Sequence, residues 1–589
     1  MFGRTRQALV AVFTIALALA LSSAGGPALA QGRAMSANDA QASDAQASAA
    51  QVNAAQAGDL QAYVDAMQPG WNLGNTFDST GPDETSWGNP RVTREFLQKL
   101  RAQGYRSIRI PVTWFQHMGP APDYTIDPAY LDRVEQVVDW ALQTGFYVMV
   151  NMHHDSSTWV IEMPAKHDEV LAKYRAGWTQ IAERLRDKPD RLMLESINEP
   201  RFSGDWNADA PEYFRWLDEL NTSFHQIVRD SGGRNADRPL VLPTLTGSPS
   251  QARLDELKKT IDTLHDNRII ATVHYYGYYP FSVNVAGGTR FDDAAEQDLT
   301  DAFDRVHDTL VAAGIPVVLG EYGLLGFDKF TGTIEQGEKL KFFEYLGYYA
   351  RQRHITTMLW DNGQHFDRVA YRWRDTDLYD VMRTSWVARS STASSDLVFV
   401  GKGAAPADQS VTLNLNGNRL VRIEYADRVL RAGRYYVLDG DRLTFRAGLL
   451  ASLTEGGAYG TNAVLTARFS AGSTWKFEVV VVDRPMVRAA TGTSGTFAVP
   501  TAFNGDRLAT MEAVYPDGSN AGPANWTSYK EFGASFVPSY DTGEIRLLPA
   551  FFAELDDGVV HLRFHFWSGE VVDYTLTKQG TSITGAPTE

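Results

Sequence analysis

Short apolar runs alternate with longer stretches of three-and-four periodicity through the first part of the chain. The runs at 70–73, 107–110, 147–150, 192–197, 240–242, 270–274, 316–320 and 356–360 read as buried strands. Between them, stretches such as 93–103, 131–143 and 170–185 gather their apolar residues on one helical face. Eight strand–helix units over 58–388 predict a (β/α)8 TIM barrel with inserted loops. The competing architecture is a doubly wound open sheet, which would carry a glycine-rich phosphate turn that this sequence does not show.

After residue 388 the pattern changes. Helical periodicity ends in the serine-rich ARSSTASS (388–395), read as a linker, and 396–485 turns strand-like. VTLNLNG alternates, YVLDGDRLTF reads as a hairpin about Asp439-Gly440, and WKFEVVVVD closes an immunoglobulin-like sandwich. A second soft joint over 489–495 leads into another all-β module, 496–580. Its last hairpin sets Leu562, Phe564 and Phe566 on one face and His561, Arg563, His565 and Trp567 on the other. The expected fold class is therefore multidomain: a TIM barrel followed by two all-β sandwich modules.

The N-terminus reads as a secretory signal over 1–30: basic Arg4 and Arg6, an apolar run over 8–21, then Ala28-Leu29-Ala30. That run is short of a full span, which argues against the alternative of a membrane anchor. Residues 31–57, rich in Ala, Gln and Ser without aromatics, read as a disordered leader. A secreted, extracellular protein is expected. The formal charge of −16 argues against nucleic acid and against acidic membrane surfaces, which call for clustered Lys and Arg. The absence of cysteine removes disulfides, thiolate chemistry and cysteine-type zinc sites. A monomer is expected.

The chemistry-bearing residues gather where the predicted strands end. Asn72, Asn75 and Asp78 follow the first; Arg109 and Trp114 belong to the second; Asn151, His153, His154 and Asp155 follow the third. Asn198-Glu199 follow the fourth, His274-Tyr275-Tyr276 the sixth, Glu321-Tyr322 the seventh and Trp360-Asp361-Asn362 the eighth. That is the rim on which barrel enzymes keep their active sites, and two carboxylates at two strand ends suggest glycoside hydrolysis. A metal reading of His153-His154-Asp155 is disfavoured, because adjacent strand residues point to opposite faces and no HExxH helix is present. No cofactor or metal is expected.

WNLGNTFD (71–78), TSWGNP (85–90), IRIPVTW (108–114), NMHHD (151–155), INEPR (197–201), VHYY (273–276), GEYG (320–323) and LWDNG (359–363) together resemble glycoside hydrolase family 5, most closely its bacterial endo-β-1,4-glucanase branch. The resemblance covers the whole first domain in order. It implies a retaining TIM-barrel glycosidase with Glu199 as acid/base and Glu321 as nucleophile. It further implies Arg109, Tyr276, His274 and Asn198 as their support, Asn198 toward the sugar 2-hydroxyl. Substrate-binding positions would be Asn75, His153, His154 and Trp360, with Trp114 among a wider set of aromatic candidates (Trp87, Trp159, Trp206, Tyr278, Tyr279 and Trp373). Glu195 reads as a buried structural partner.

The second module resembles the X2 type found beside bacterial cellulases, and is read as a spacer. The third, with YPDGSNAGPANW (515–526), resembles carbohydrate-binding module family 46. There Trp526 is the first choice for a glycan-contacting aromatic and Trp567 the second. The expected partner is a β-glucan: cellulose, mixed-linkage glucan or xyloglucan. A mannanase of the same family, a metal-dependent hydrolase and a non-catalytic glycan-binding protein on a degenerate barrel are the alternatives.

Overall fold

The computed structural model describes residues 60–588; the expected signal peptide and leader lie outside them. Eight parallel strands close into a barrel: β1 Gly70–Asn72, β2 Ser107–Ile110, β3 Tyr147–Asn151, β4 Leu192–Glu195, β5 Leu240–Pro243, β6 Ile269–Tyr275, β7 Val317–Tyr322 and β8 Ile355–Leu359. The strands read from sequence are these eight, with one shift that matters. β7 runs through Glu321 instead of stopping before it.

One end of the barrel is sealed by apolar packing. Leu60, Val64 and Met67 lie against Met149, Met193, Val241, Ile270, Val318 and Met358, one side chain from most of the strands. The opposite end, where the strands terminate, is left to polar groups.

Two β modules follow, each built from a four-stranded and a five-stranded sheet. They share a sequence of elements. In the second, the hairpin Tyr436–Asp439/Arg442–Phe445 leads through the helix Ala447–Thr454 to the long hairpin Gly460–Phe469/Trp475–Val482. In the third, Phe536–Ser539/Glu544–Leu547 leads through Pro549–Ala553 to Gly558–Phe566/Val571–Gln579. The strand Ser582–Pro587 is extra and lies between Val571–Gln579 and Ala490–Thr493.

Both expected linkers are corrected by the structure. Ser390, Ser391 and Thr392 are buried; the Ser390 amide donates to Glu344 at 2.9 Å, and Thr392–Ala393 pairs with Gln409–Asn414. Ala490–Thr493 is likewise a sheet strand. Small hydroxyl residues fit here because their side chains satisfy buried backbone groups locally, a role indistinguishable by composition from a loose spacer.

The three modules meet around polar and apolar contacts. Arg507 of the third reaches Glu478 of the second at 2.6 Å, and Lys476 of the second reaches Asp377 of the barrel at 2.7 Å. Trp567 packs against Leu397, Val480 and Val482 of the second module, and Arg290 of the barrel lies 5.0 Å from its ring centre. Its proposed glycan role is therefore corrected: both faces of the junction already occupy it.

At the same junction Glu335 of the barrel and Asp396 of the second module stand side by side, with Glu335 Oε1 and Asp396 Oδ1 both buried. Burial pushes Asp396 up to about 6 and Glu335 well above the ordinary range. A carboxyl raised on folding costs stability as pH climbs from its unfolded to its folded value, and that cost persists above. Asp396→Asn is expected to gain over wild type between pH 4 and 6 and to keep the gain above pH 6. The gain should be on the order of 3 kcal/mol at most, read by thermal unfolding across pH.

Candidate active site

Arg109 is the centre of the polar end of the barrel. It sits on β2 with no exposed surface. Its Nε and Nη2 donate to Glu195 at 2.7 and 3.1 Å, Nη2 also to Asn198 Oδ1 at 2.7 Å, and Nη1 to Asn72 Oδ1 at 3.0 Å and Glu321 Oε1 at 2.7 Å. The two-pronged bond to Glu195 fixes the plane of the guanidinium, so its free edge faces Glu321. Burial works against its charge, but Glu195 and Glu321 together hold it protonated more firmly than usual.

Glu321 reaches this edge through an irregularity in β7. The register of β7 shifts against both β6 and β8 at this point. Asn72 Nδ2 donates to Gly320 O at 2.8 Å and Met358 O at 3.0 Å, tying down the shifted segment. Such a bulge re-aims one side chain, here the carboxylate. Gly320 is required by crowding: a Cβ there would lie 2.5 Å from Thr272 Oγ1 and 3.1 Å from His274 Nε2. The Tyr276 hydroxyl donates to Glu321 Oε2 at 2.7 Å. Burial alone would raise Glu321, but the charges of His274 and Arg109 and the Tyr276 bond hold it below the usual carboxylate range. It stands ionised at neutral pH.

Glu199 arrives from the turn after β4. Its backbone has φ +40°, a left-handed conformation that side chains rarely adopt, and the Asn198 amide donates to Met152 O at 2.8 Å. A strained backbone held by its surroundings is a familiar mark of a working position. His274 Nδ1 lies 2.8 Å from Glu199 Oε1 and 3.7 Å from Glu321 Oε2, bridging the two carboxylates. Burial would lower His274, yet Glu321 and Glu199 raise it above its ordinary value. Oxygens of Glu199 and Glu321 and a nitrogen of His274 all lie within 4.8 Å of one another.

His153 borders this cluster. Asn151 Oδ1 accepts from the Val112 amide at 3.1 Å, so its Nδ2 donates to His153 Nδ1 at 3.1 Å. That leaves the proton on Nε2, 3.9 Å from Glu321 Oε1. Burial, with His154, Arg109 and His274 nearby, keeps His153 neutral. The His153 and His154 rings stand 4.5 Å apart, past the end of β3, so the strand argument against a metal does not apply to them. Asp78 completes the group, but both its oxygens accept backbone amides, from Thr76 at 2.6 Å and Asn75 at 2.9 Å. With the proton on His153 Nε2 and Asp78 so engaged, the group is a poor ligand set. Asn75 itself is half-buried and its carbonyl accepts from Asn89 at 2.9 Å.

The aromatic candidates divide by burial. Trp360 is half-buried and parallel to His153 at 5.8 Å, and Gly74 comes so close that a Cβ there would stand 2.9 Å from its ring. Trp87 is 42% exposed beside His154, and Trp206 lies under Arg201 at 4.3 Å. Trp114 is fully buried with its indole donating to Asn151 O at 3.0 Å, so the expectation that it binds sugar is corrected: no ring face is free. Trp159 and Trp373 are packing residues too, the latter stacked on Tyr379 at 4.5 Å. Periodicity places an aromatic on an element but does not report which face is covered.

The third module docks on the same rim. The Phe532 amide donates to Asn284 O at 3.1 Å, and Asn284 Nδ2 donates to Ala509 O at 2.8 Å. Phe330 meets Phe532 at 5.8 Å, and Lys329 faces Glu531 at 3.8 Å. Trp526 is 40% exposed on this module. Sequence reasoning singled out neither Asp328 nor Gln364, which are hydrogen-bonded to each other beside the turn after β8 and carry no motif. It also missed Arg368, a buried guanidinium bonded to Gly74 O at 2.8 Å and Asp361 O at 2.6 Å.

Three comparisons agree with this geometry. Residues 39–366 match the family described as cellulase (glycosyl hydrolase family 5), 392–479 match carbohydrate binding domain X2, and 483–586 match a carbohydrate binding domain, CBM46. Endoglucanase B of Paenibacillus lautus is 55% identical over 89% of this chain and 93% of its own. The tri-modular endo-β-1,4-glucanase B of Bacillus halodurans superposes with a TM-score of 0.89 at 53% identity, covering 90% of this chain and 99% of that one. A tri-modular subfamily 4 endo-β-1,4-glucanase from Bacillus licheniformis, complexed with cellotetraose, gives 0.76 at 30% identity over 90% and 99%. The chain belongs to glycosyl hydrolase family 5, a glycoside hydrolase whose barrel is followed by an X2 and a CBM46 domain.

Proposed function

We propose that this chain is a secreted endo-β-1,4-glucanase that cleaves with retention of configuration. The observation that carries the mechanism is the separation of the two carboxylates, whose facing oxygens lie within 4.8 Å. Retaining glycosidases hold their pair about 5 Å apart, whereas inverting enzymes need roughly 6.5–9.5 Å to admit a water. Glu321, ionised against Arg109 and Tyr276, attacks the anomeric carbon as Glu199 gives its proton to the departing oxygen. Water then attacks the glycosyl–enzyme ester, Glu199 takes its proton, and Glu321 leaves. His274 orients Glu199, Asn198 meets the 2-hydroxyl, and Asn75, His153, His154 and Trp360 line the substrate.

The endo-β-1,4-glucanase assignment is supported by the relatives' own names and by the cellotetraose held by the Bacillus licheniformis enzyme. Secretion rests on the signal-like residues 1–30. Trp526, on a module docked at the rim, supplies a further sugar platform, and cellulose, mixed-linkage glucan and xyloglucan are the substrates in view. Proton NMR of the first product from a cello-oligosaccharide tests the mechanism. Early appearance of the β-anomer is expected; an α-anomer would overturn it.

Trp526→Ala is expected to weaken retention on insoluble glucan about tenfold, one exposed aromatic platform's worth, with kcat on a short soluble substrate unchanged. Pull-down on the polysaccharide, run beside soluble kinetics, separates the two.

A further inference from the structure

The loop after β7 carries a second carboxyl group, Asp328, in the segment that also sends Lys329 and Phe330 to the third module. One edge of this group is fixed. Its backbone carbonyl accepts from Asn362 Nδ2 at 3.2 Å, and the Gln364 amide donates to Oδ1. Gln364 is held in turn, its Oε1 accepting from the Asn362 amide at 2.8 Å. The turn after β8 therefore sets the plane of the Asp328 carboxyl.

The other edge is open. No hydrogen bond reaches Oδ2 among the described residues, the residue is part-buried, and the charges of Asp361 and Glu321 both act on it. It lies on the side of the catalytic tyrosine: a Cβ on Gly323 would stand 3.4 Å from Asp328 Oδ2 and 3.3 Å from the Tyr276 ring. A part-buried carboxyl with one pinned edge keeps the other edge available to a ligand on the Tyr276 side.

A second nucleophile is not available here. The donors of Arg109 are spent on Glu195, Asn198, Asn72 and Glu321, and Lys329, whose charge acts on Asp328, is mostly exposed. Burial pushes Asp328 well above the ordinary carboxylate range, with Asp361 and Glu321 adding to it. Its proton is therefore held more firmly than on an ordinary carboxyl. A neutral carboxyl both donates and accepts, the pattern that a sugar hydroxyl matches.

We propose that Asp328 is a substrate-binding residue, whose open edge hydrogen-bonds a hydroxyl of the glucan unit beside Glu321. The proposal rests on the glucanase reading above. It assigns to the loop that touches the third module a direct hold on the substrate as well.

Binding is measured by calorimetry with cellotetraose on full-length Glu321→Ala, alone and combined with Asp328→Ala or Asp328→Asn. Asp328→Ala is expected to weaken binding about 5- to 10-fold, the worth of one neutral hydrogen bond. Asp328→Asn, which keeps an acceptor for Gln364 and a donor for the hydroxyl, is expected to stay within twofold. Equal affinity in all three overturns the proposal, as does an equal loss in both combined variants. A lowered melting temperature in Asp328→Ala without a loss of affinity would make the residue purely structural. Wild-type hydrolysis of β-glucan, assayed alongside, reports separately on the glucanase reading.

Discussion

Glu321→Ala is expected to lower kcat/KM on β-glucan by about 10^4- to 10^6-fold, the scale on which deleting an activated nucleophile acts. The fold should survive, because the lost carboxylate is only one of the partners of Arg109, and Glu195 still neutralises the guanidinium from 2.7 Å. The cavity left at the anomeric carbon allows a sharper measurement. Azide supplied in solution can occupy it and attack from the face assigned to Glu321, restoring cleavage of a substrate with a good leaving group. The product would be an α-glycosyl azide. Glu199→Ala should also respond to azide, but through attack on the glycosyl–enzyme, and so give the β-azide. Like stereochemistry from both variants would undo the assignment of roles.

Arg109→Met is expected to cost about 3–5 kcal/mol of stability, because Glu195 then remains as a buried charge without its partner. Against a total stability of roughly 5–15 kcal/mol, that loss brings the protein near unfolding at growth temperature. The combined variant Arg109→Met/Glu195→Met should recover much of the loss, as apolar side chains of similar volume replace a buried ion pair. Activity should not recover. Glu321 keeps His274 and Tyr276 but loses the cation at 2.7 Å, so its carboxyl titrates at higher pH. The acid limb of the pH–rate profile therefore moves upward wherever activity is measurable. Melting temperature and pH profile, taken together on the two variants, separate what Arg109 does for the fold from what it does for Glu321.

The barrel was legible because each strand is a short apolar run ending in a polar cluster, a pattern set by burial on one side and chemistry on the other. Glu199, Glu321, Arg109 and His274 could be placed at one rim for the same reason. What could not be read was which surface of a side chain is covered. Trp114 and Trp360 both sit at strand ends, yet one is roofed by the core and the other is part of the open end. The Glu321 position depends on a shifted register between β7 and its neighbours, which has no local signature beyond Gly320. Composition also misled: ARSSTASS looks like a spacer but forms part of a packed joint. The likeness between the two C-terminal modules lies in the order of hairpin, helix and hairpin, and so escapes a search for repeated letters.

Trp567 makes the assembly a poor set of interchangeable parts. Its ring is seated by Leu397, Val480 and Val482 from one module and by Arg290 from another, so its socket exists only when both neighbours are in place. A shuffled chain that borrowed the third module alone would carry an uncovered indole at the seam, and one that borrowed the barrel alone would present Arg290 and Phe330 to water. In this chain the seam around Trp567 is shared by all three modules, so a cut that respects sequence boundaries still breaks it in space.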